Sequence, residues 1–346
     1  MRLKNLYLIV IAMCAIAIAS CQKSSSLRPS KTDTTKVNKP GTDVYVTGNV
    51  TASNSNFVAT VWKNGVAITL GDSSVNSYAN SIAVSDTNVY IIGSVDGVTK
   101  LWKNGVATTL SGAIQANAVT VSGGNVYVAG GTYINNVYYG TYWKNGSPTV
   151  INDAINVIFN AITVVGNDVY VAGNAYLNTG FTAVKYWKNG VATTIVSNDP
   201  QGSPVYYNGN VGLGVNGNDV YVTGDVESAA GDQVIATYWK NGTAIPLMSD
   251  QTKSSEVNNI TVVGNNVYAT GYYDYFAMYW VNGVAHKLTD GVNQYTATAI
   301  TLNGTDLYIA GYSGYADKKV VYWKNGILVP LTQKFSVATG IGVVKH

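Results

Sequence analysis

AITVVGNDVYVAG, residues 161–173, followed after a variable stretch by AVKYWKNGVATTI, residues 183–195, is the passage that decides the fold. It reads as four short β-strands. Ile162–Val164 is β-branched and compact, Val169–Val171 is continuously apolar around Tyr170, Tyr186–Trp187 mark a third strand, and Val191–Ile195 form the fourth. Asn189–Gly190 sits between strands three and four, where a tight type I′ hairpin needs positive φ at both central residues. Gly166–Asn167 gives a second turn signal between strands one and two.

The same unit recurs along the chain. The second-strand tyrosine appears as Tyr45, Tyr90, Tyr127, Tyr170, Tyr221, Tyr268 and Tyr308, and the third-strand tryptophan as Trp62, Trp102, Trp143, Trp187, Trp239, Trp280 and Trp323. Asn–Gly follows the tryptophan in every copy, and successive tryptophans lie 40 to 52 residues apart, the period of four-stranded propeller blades. The first copy begins at strand two, Asp43–Gly48, and the chain ends with a lone strand one, Ala338–Val344. Joining them completes a seventh blade and removes two open sheet edges. The expected fold is all-β: a seven-bladed β-propeller of four-stranded antiparallel blades over 43–346, closed by the C-terminal strand one joining N-terminal strands two to four.

Composition agrees. Apolar residues make up 47% of the 346 and charged residues 11%, the balance of a turn-rich β-protein. The net charge of +3 is carried by the N-terminus, which holds seven of the 21 basic residues before position 43 but one of the 18 acidic ones. The body is therefore slightly acidic, which excludes a nucleic-acid partner. Its histidines are His286 and His346 alone, and both cysteines, Cys14 and Cys21, precede it. That scarcity argues against zinc sites and against Ser-His or Cys-His catalysis, and no Asp-x-Asp-x-Asp calcium loop is present, so neither metal nor cofactor is expected.

Arg2 and Lys4 precede an apolar run, Leu6–Ala19, which matches a secretory signal over 1–20 and is short for a membrane span. Ile18-Ala19-Ser20-Cys21 resembles a bacterial lipobox, which implies lipidation of Cys21. Gln22 resembles an outer-membrane sorting residue. Residues 21–42 then read as the lipidated cysteine and a polar, flexible tether. These features predict an outer-membrane lipoprotein, on the periplasmic or cell-surface side, touching the membrane through its anchor alone.

In such a meander the two tight turns of each blade share one face, and the variable segments 131–140, 174–182, 196–211, 225–236, 272–277 and 312–319 share the other. Variable loops on a rigid scaffold are where binding resides. They are rich in tyrosine, a rigid amphipathic ring suited to sugars and peptide surfaces. The candidate ligand-binding residues are Tyr138, Tyr139, Tyr206, Tyr207, Tyr272, Tyr273, Tyr275, Tyr312 and Tyr315, with a glycan or an envelope protein as the expected partner. The plainer alternative has these rings sealing gaps between blades. The seven tryptophans read first as blade-core wedges and second as seven equivalent sugar sites. Lys63, Lys103, Lys144, Lys188, Lys240 and Lys324, each before Asn–Gly, read as solvated turn residues or as a weakly anion-attracting ring.

Polysaccharide cleavage would need two carboxylates at a set separation. Asp153, Asp199, Asp225, Asp232, Asp250, Asp274, Asp290 and Asp317 lie on the variable face, with Glu227 and Glu256, but no motif singles out a pair. No catalytic residue is assigned. A non-catalytic recognition module ranks first, an assembly scaffold second, and an enzyme using loop Asp residues third.

With its lipobox and copies such as Tyr186-Trp187-Lys188-Asn189-Gly190, the chain over 18–346 resembles the surface lipoproteins with propeller repeats of Bacteroidetes-type bacteria. Its Trp-x-x-Gly hairpin is also similar to that of extracellular HAF repeats, though their His-Ala-Phe signature is absent. The resemblance implies architecture and location and supplies no catalytic residue.

Overall fold

The computed structural model describes residues 41–176, 182–197, 211–228, 233–250, 252–314, 317–332 and 334–346. The signal, Cys21, nearly all of the tether, Tyr206, Tyr207 and Tyr315 lie outside the described residues.

Twenty-eight strands among the described residues form seven four-stranded antiparallel sheets. Blade 1 holds β1 (Thr42–Thr51), β2 (Phe57–Lys63) and β3 (Val66–Thr69). Blade 2 holds β4 (Ser77–Ser85), β5 (Asn88–Val95), β6 (Val98–Lys103) and β7 (Val106–Thr109). Blade 3 is β8 (Gln115–Ser122), β9 (Asn125–Ile134), β10 (Val137–Lys144) and β11 (Ser147–Ile155). Blade 4 is β12 (Val157–Val165), β13 (Asp168–Tyr176), β14 (Thr182–Lys188) and β15 (Val191–Ser197). Blade 5 runs β16 (Leu213–Asn216), β17 (Asp219–Glu227), β18 (Val234–Lys240) and β19 (Thr243–Pro246). Blade 6 runs β20 (Ser255–Val263), β21 (Asn266–Tyr273), β22 (Phe276–Val281) and β23 (Val284–Lys287). Blade 7 comprises β24 (Tyr295–Asn303), β25 (Asp306–Ser313), β26 (Lys319–Lys324) and β27 (Ile327–Pro330). The last strand, β28 (Ser336–Lys345), returns to blade 1 as its innermost member.

That return closes the ring. β28 pairs with β1 from Thr42 opposite Lys345 to Val50 opposite Ser336, with Val46 facing Ile341. Beyond the ladder, the His346 N–H donates to the Gly41 carbonyl at 2.7 Å and the imidazole meets Asp43 at 2.9 Å. Inner strands of neighbouring blades touch in an unbroken circle.

Each repeated residue has a structural task. All seven tryptophans are buried, 0–3% exposed, as wedges between blades, which leaves them no surface to offer a ligand. In six of the inner strands one residue bulges out of register with strand two, as between Ala79 and Ser81. The bulge presses a carbonyl onto the strand-two glycine. At Gly93 an added Cβ would fall 1.8 Å from the Tyr78 oxygen, so no other residue fits. Three bulged asparagines tie their blade to the next: Asn80 donates to the Ala116 carbonyl at 2.8 Å, Asn117 to Phe159 at 2.8 Å and Asn258 to Ala297 at 2.9 Å.

The tight-turn face is equally regular. Every Asn–Gly pair has positive φ at both residues, as the hairpin chemistry predicts. The turn asparagine also accepts an N–H near the start of strand two in all seven blades, as Asn104 does from Val89, at 2.8–2.9 Å. The six lysines lie over the second-strand tyrosines, 5.3–5.6 Å from ring to ammonium. Where strand two opens with Asp, as at Lys188–Asp168, 2.8 Å, an ion pair is added. The lysines are thus engaged by their own blades.

Candidate functional site

Several segments expected to be loops continue as strands on the opposite face. The β9–β10 hairpin runs out to Asn135–Asn136, where φ is 50° and 63°. Tyr138 and Tyr139 therefore lie on β10, Tyr272 and Tyr273 on β21, and Tyr312 on β25, while Tyr275 occupies a turn. Apolar alternation had hidden this because polar and aromatic residues share these strand ends.

Their roles separate. Tyr138 lies over Gly131, where a Cβ would meet its hydroxyl oxygen at 2.0 Å, and meets Tyr133 edge-on at 5.5 Å. Burial, with Tyr133 adding to it, pushes the Tyr138 phenol up to about 12, and its hydroxyl has no partner among the described residues. Tyr138 thus packs on its own hairpin, and half-buried Tyr139 is paired between Thr132 and Ile155. Tyr273 donates to Asp250 at 2.5 Å, a bond that lifts the phenol to about 12. The Thr252 hydroxyl at 2.6 Å, with Tyr273, in turn holds Asp250 down to about 2. Tyr275 is 56% exposed, and so are two rings the sequence left off the candidate set, Tyr133 at 56% and Tyr176 at 51%. The Asn135–Asn136 hairpin tip two residues after Tyr133 was the available signal.

Most loop-face aspartates are internal braces. Asp153 accepts the Trp187 indole N–H at 2.8 Å, Asp274 pairs with Lys253, Asp317 with Lys319, and Asp290 caps the Val292 N–H. Asp199 and Asp232 lie outside the described residues. Among the described residues no three His, Cys, Asp or Glu side chains gather to hold a metal ion.

Asp225 differs. The position after the strand-two glycine carries Asn49, Ser94, Gly131, Asn174, Asp225, Tyr272 and Tyr312 in blades 1 to 7. Asn49 shows its structural use, accepting the Ala79 N–H of the next blade at 2.8 Å. Asp225 makes the same bond to the Val257 N–H at 3.0 Å with one oxygen, and its second oxygen accepts none among the described residues. The side chain is 5% exposed. Burial, reinforced by Glu256 and opposed by the Val257 N–H, pushes its carboxyl up to about 8, so it holds its proton at neutral pH.

Beside it, the Tyr272 hydroxyl donates to Glu256 at 2.6 Å, and burial together with that bond raises the phenol far above its usual range. Tyr312 lines the central channel, with the Lys318 ammonium 4.7 Å over its ring. The channel encloses about 770 Å³ and is walled by inner-strand residues such as Asn80, Asn117, Thr298 and Thr339, with no charged side chain among the described residues of its wall.

No protein-family model and no curated protein matches the chain. Solved structures do resemble it. The β-propeller domain of the Trilobed protease from Pyrococcus furiosus, described as having an open velcro topology, aligns with a TM-score of 0.53 at 9% identity, over 86% of this chain and 94% of that one. A puromycin-hydrolyzing peptidase of Mycobacterium tuberculosis aligns at 0.53 and 10% identity, over 86% of this chain and 52% of its own. An acylaminoacyl peptidase of Pyrococcus horikoshii aligns at 0.53 and 11%, over 86% and 52%. The chain thus spans about half the length of these two peptidases. At such identities the likeness establishes the fold: this is a β-propeller.

Proposed function

We propose that the chain is a non-catalytic recognition module of the cell envelope, held by a lipid on Cys21 and binding a glycan or surface protein through its tyrosine-bearing loop face. The observation that carries this reading is the division of the aromatic residues. Every tryptophan is buried, while Tyr133 and Tyr176 at strand ends and Tyr275 in a turn stand 51–56% exposed on one face of a closed ring. Exposed rigid rings on a fixed scaffold bind at low entropic cost. The described chain begins at Gly41, beside the start of β1 on the tight-turn face, opposite the tyrosine-bearing face.

Binding is favoured over chemistry because Asp225 is sealed and Glu256 is engaged by Tyr272. The test is an envelope pull-down and glycan array with residues 22–346, wild type beside a Tyr133→Ala, Tyr176→Ala, Tyr275→Ala variant. The expected result is retention by the wild type and a roughly ten-fold loss in the variant, about 1.4 kcal/mol. Equal retention by both refutes the reading.

A further inference from the structure

Blade 1 carries a cavity that none of the exposed tyrosines lines. Strand alternation puts Val58, Thr60 and Trp62 of β2 on one face of the blade, and the register sets Val50, Thr69 and Ala67 beside them on that face. Its inner part packs on blade 7, where Val46 and Trp62 join Val320, Tyr322 and Val329 in one core cluster. Towards the loop face the β27–β28 connector takes over from blade 7, and a cavity of about 810 Å³ opens between that connector and blade 1. Its walls are held by hydrogen bonds. The Thr51 N–H donates to the Phe335 carbonyl at 3.0 Å and the Ser336 hydroxyl to the Lys334 carbonyl at 3.0 Å. Across the mouth, Asn54 and Asn56 donate to the Ser73 carbonyl at 2.8 and 3.1 Å. The site is thus preformed, and its size lies within the span of small-molecule sites.

The lining sorts by chemistry. Val50, Val58 and Leu331 make an apolar floor over buried Trp62, and Thr51 beside them has a hydroxyl with no partner among the described residues. At exposed positions of the wall stand one cation, Lys334, and one carboxylate, Asp72. They make no ion pair with each other or with any other described residue. By contrast, the ammonium groups of Lys253, Lys318 and Lys319 on the same face are taken by Asp274, the Tyr312 ring and Asp317. Asp72 caps the Ser74 N–H with one oxygen at 2.7 Å, which leaves the other for a ligand. We propose that this cavity binds a zwitterion with an apolar side chain, a free amino acid or a short peptide. Its carboxylate meets Lys334, its ammonium meets Asp72, and its side chain lies over Val50, Val58 and Leu331. A neutral or singly charged molecule leaves one or both of the charged groups unused. Both charges stand in solvent, which screens them and keeps the affinity modest. The site shares no residue with Tyr133, Tyr176 and Tyr275, so it is independent of the surface proposed above.

The experiment is calorimetric titration and saturation-transfer NMR of the chain, residues 22–346, with leucine and with leucyl-leucine. Four comparisons each remove one part: N-acetylleucine the ammonium, leucinamide the carboxylate, glycine the side chain, and methyl glucoside all three. A zwitterion with its side chain is expected to bind in the millimolar range, and each comparison roughly ten-fold more weakly. Lys334→Met is expected to erase the preference for leucine over leucinamide and keep that over N-acetylleucine. Asp72→Asn, which retains an acceptor for the Ser74 N–H, is expected to do the reverse. Ala67→Phe, at an exposed position of the wall, fills the cavity and is expected to abolish binding while melting like the wild type. Whichever zwitterion binds more tightly names the source, and either order upholds the class. Absence of binding by both, comparisons that bind as well as leucine, charge variants that weaken every ligand alike, or undiminished binding by Ala67→Phe overturns the proposal.

Discussion

Replacing Asp225 by Asn tests how this buried acid is accommodated. The Asn49 amide already occupies the equivalent place in blade 1, accepting the same inter-blade N–H, so Asp225→Asn keeps the acceptor and removes the titration. The folded carboxyl titrates at about 8 against an ordinary 3.8, so the folded state holds the proton more tightly than the unfolded chain. This group's contribution is therefore most favourable below about pH 4, declines as pH rises towards 8, and is level above it. At pH 7 the loss amounts to at most about 4 kcal/mol, at about 1.4 kcal/mol per unit, with relaxation reducing it. The new amide hydrogens cost about 1–3 kcal/mol if left unpaired. The variant is therefore expected to be no more stable than the wild type at pH 5 and to overtake it by pH 8. Urea unfolding followed by tryptophan fluorescence at pH 5, 6, 7 and 8 measures this directly. A stability difference that stays constant over that range would refute the assignment of a protonated, buried Asp225.

Gly93→Ala is expected to destabilise the ring by more than about 3 kcal/mol, since its Cβ collides with a backbone carbonyl. Gly105→Ala at an open turn with φ +84° costs only about 1 kcal/mol, and thermal melts of the two separate packing from turn strain. Asp43 has its carboxyl held at about 2, where burial alone would raise it, because Lys63, His346 and Asn64 all bond to it. Its contribution is present above about pH 4 and disappears as pH falls towards 2, and solvent screening limits it to about 1 kcal/mol. Asp43→Asn should accordingly narrow its stability gap to the wild type across that acid range in urea titrations. Asp153→Ala deprives the Trp187 indole of its acceptor and should lower stability by about 1–2 kcal/mol, read from the same titrations.

The scaffold was legible because its signals are local and repeated seven times. Tyr-Trp-Lys-Asn-Gly encodes a wedge and a hairpin in five consecutive residues, and the split strand at the chain ends encodes closure, whereas the tyrosine beneath each lysine belongs to strand two and that contact was not legible. The bulges were not legible: Asn80 and Asn117 look like ordinary strand-one polar residues, and their bonds reach carbonyls 36 and 42 residues away. Strand ends were misread for a related reason. Tyr138 and Tyr272 extend pairing beyond the apolar run, and nothing in their neighbours distinguishes a paired tyrosine from a loop one. Asp225 stood among eight candidate aspartates. Its singularity emerged only when blades were aligned by their glycine and the neighbour contributed Val257 and Glu256.

The pairing of β1 on both sides has a mechanical consequence. A pull between the N-terminal end of β1 and a load on the tyrosine face runs along that strand. Its ladders to β28 and β2 lie parallel to the force and are loaded together in shear, nine residue pairs on one flank and seven on the other. A hairpin at a sheet edge would instead peel open one bond at a time. The shared blade thus acts as a tensile clasp, strongest along the axis of β1.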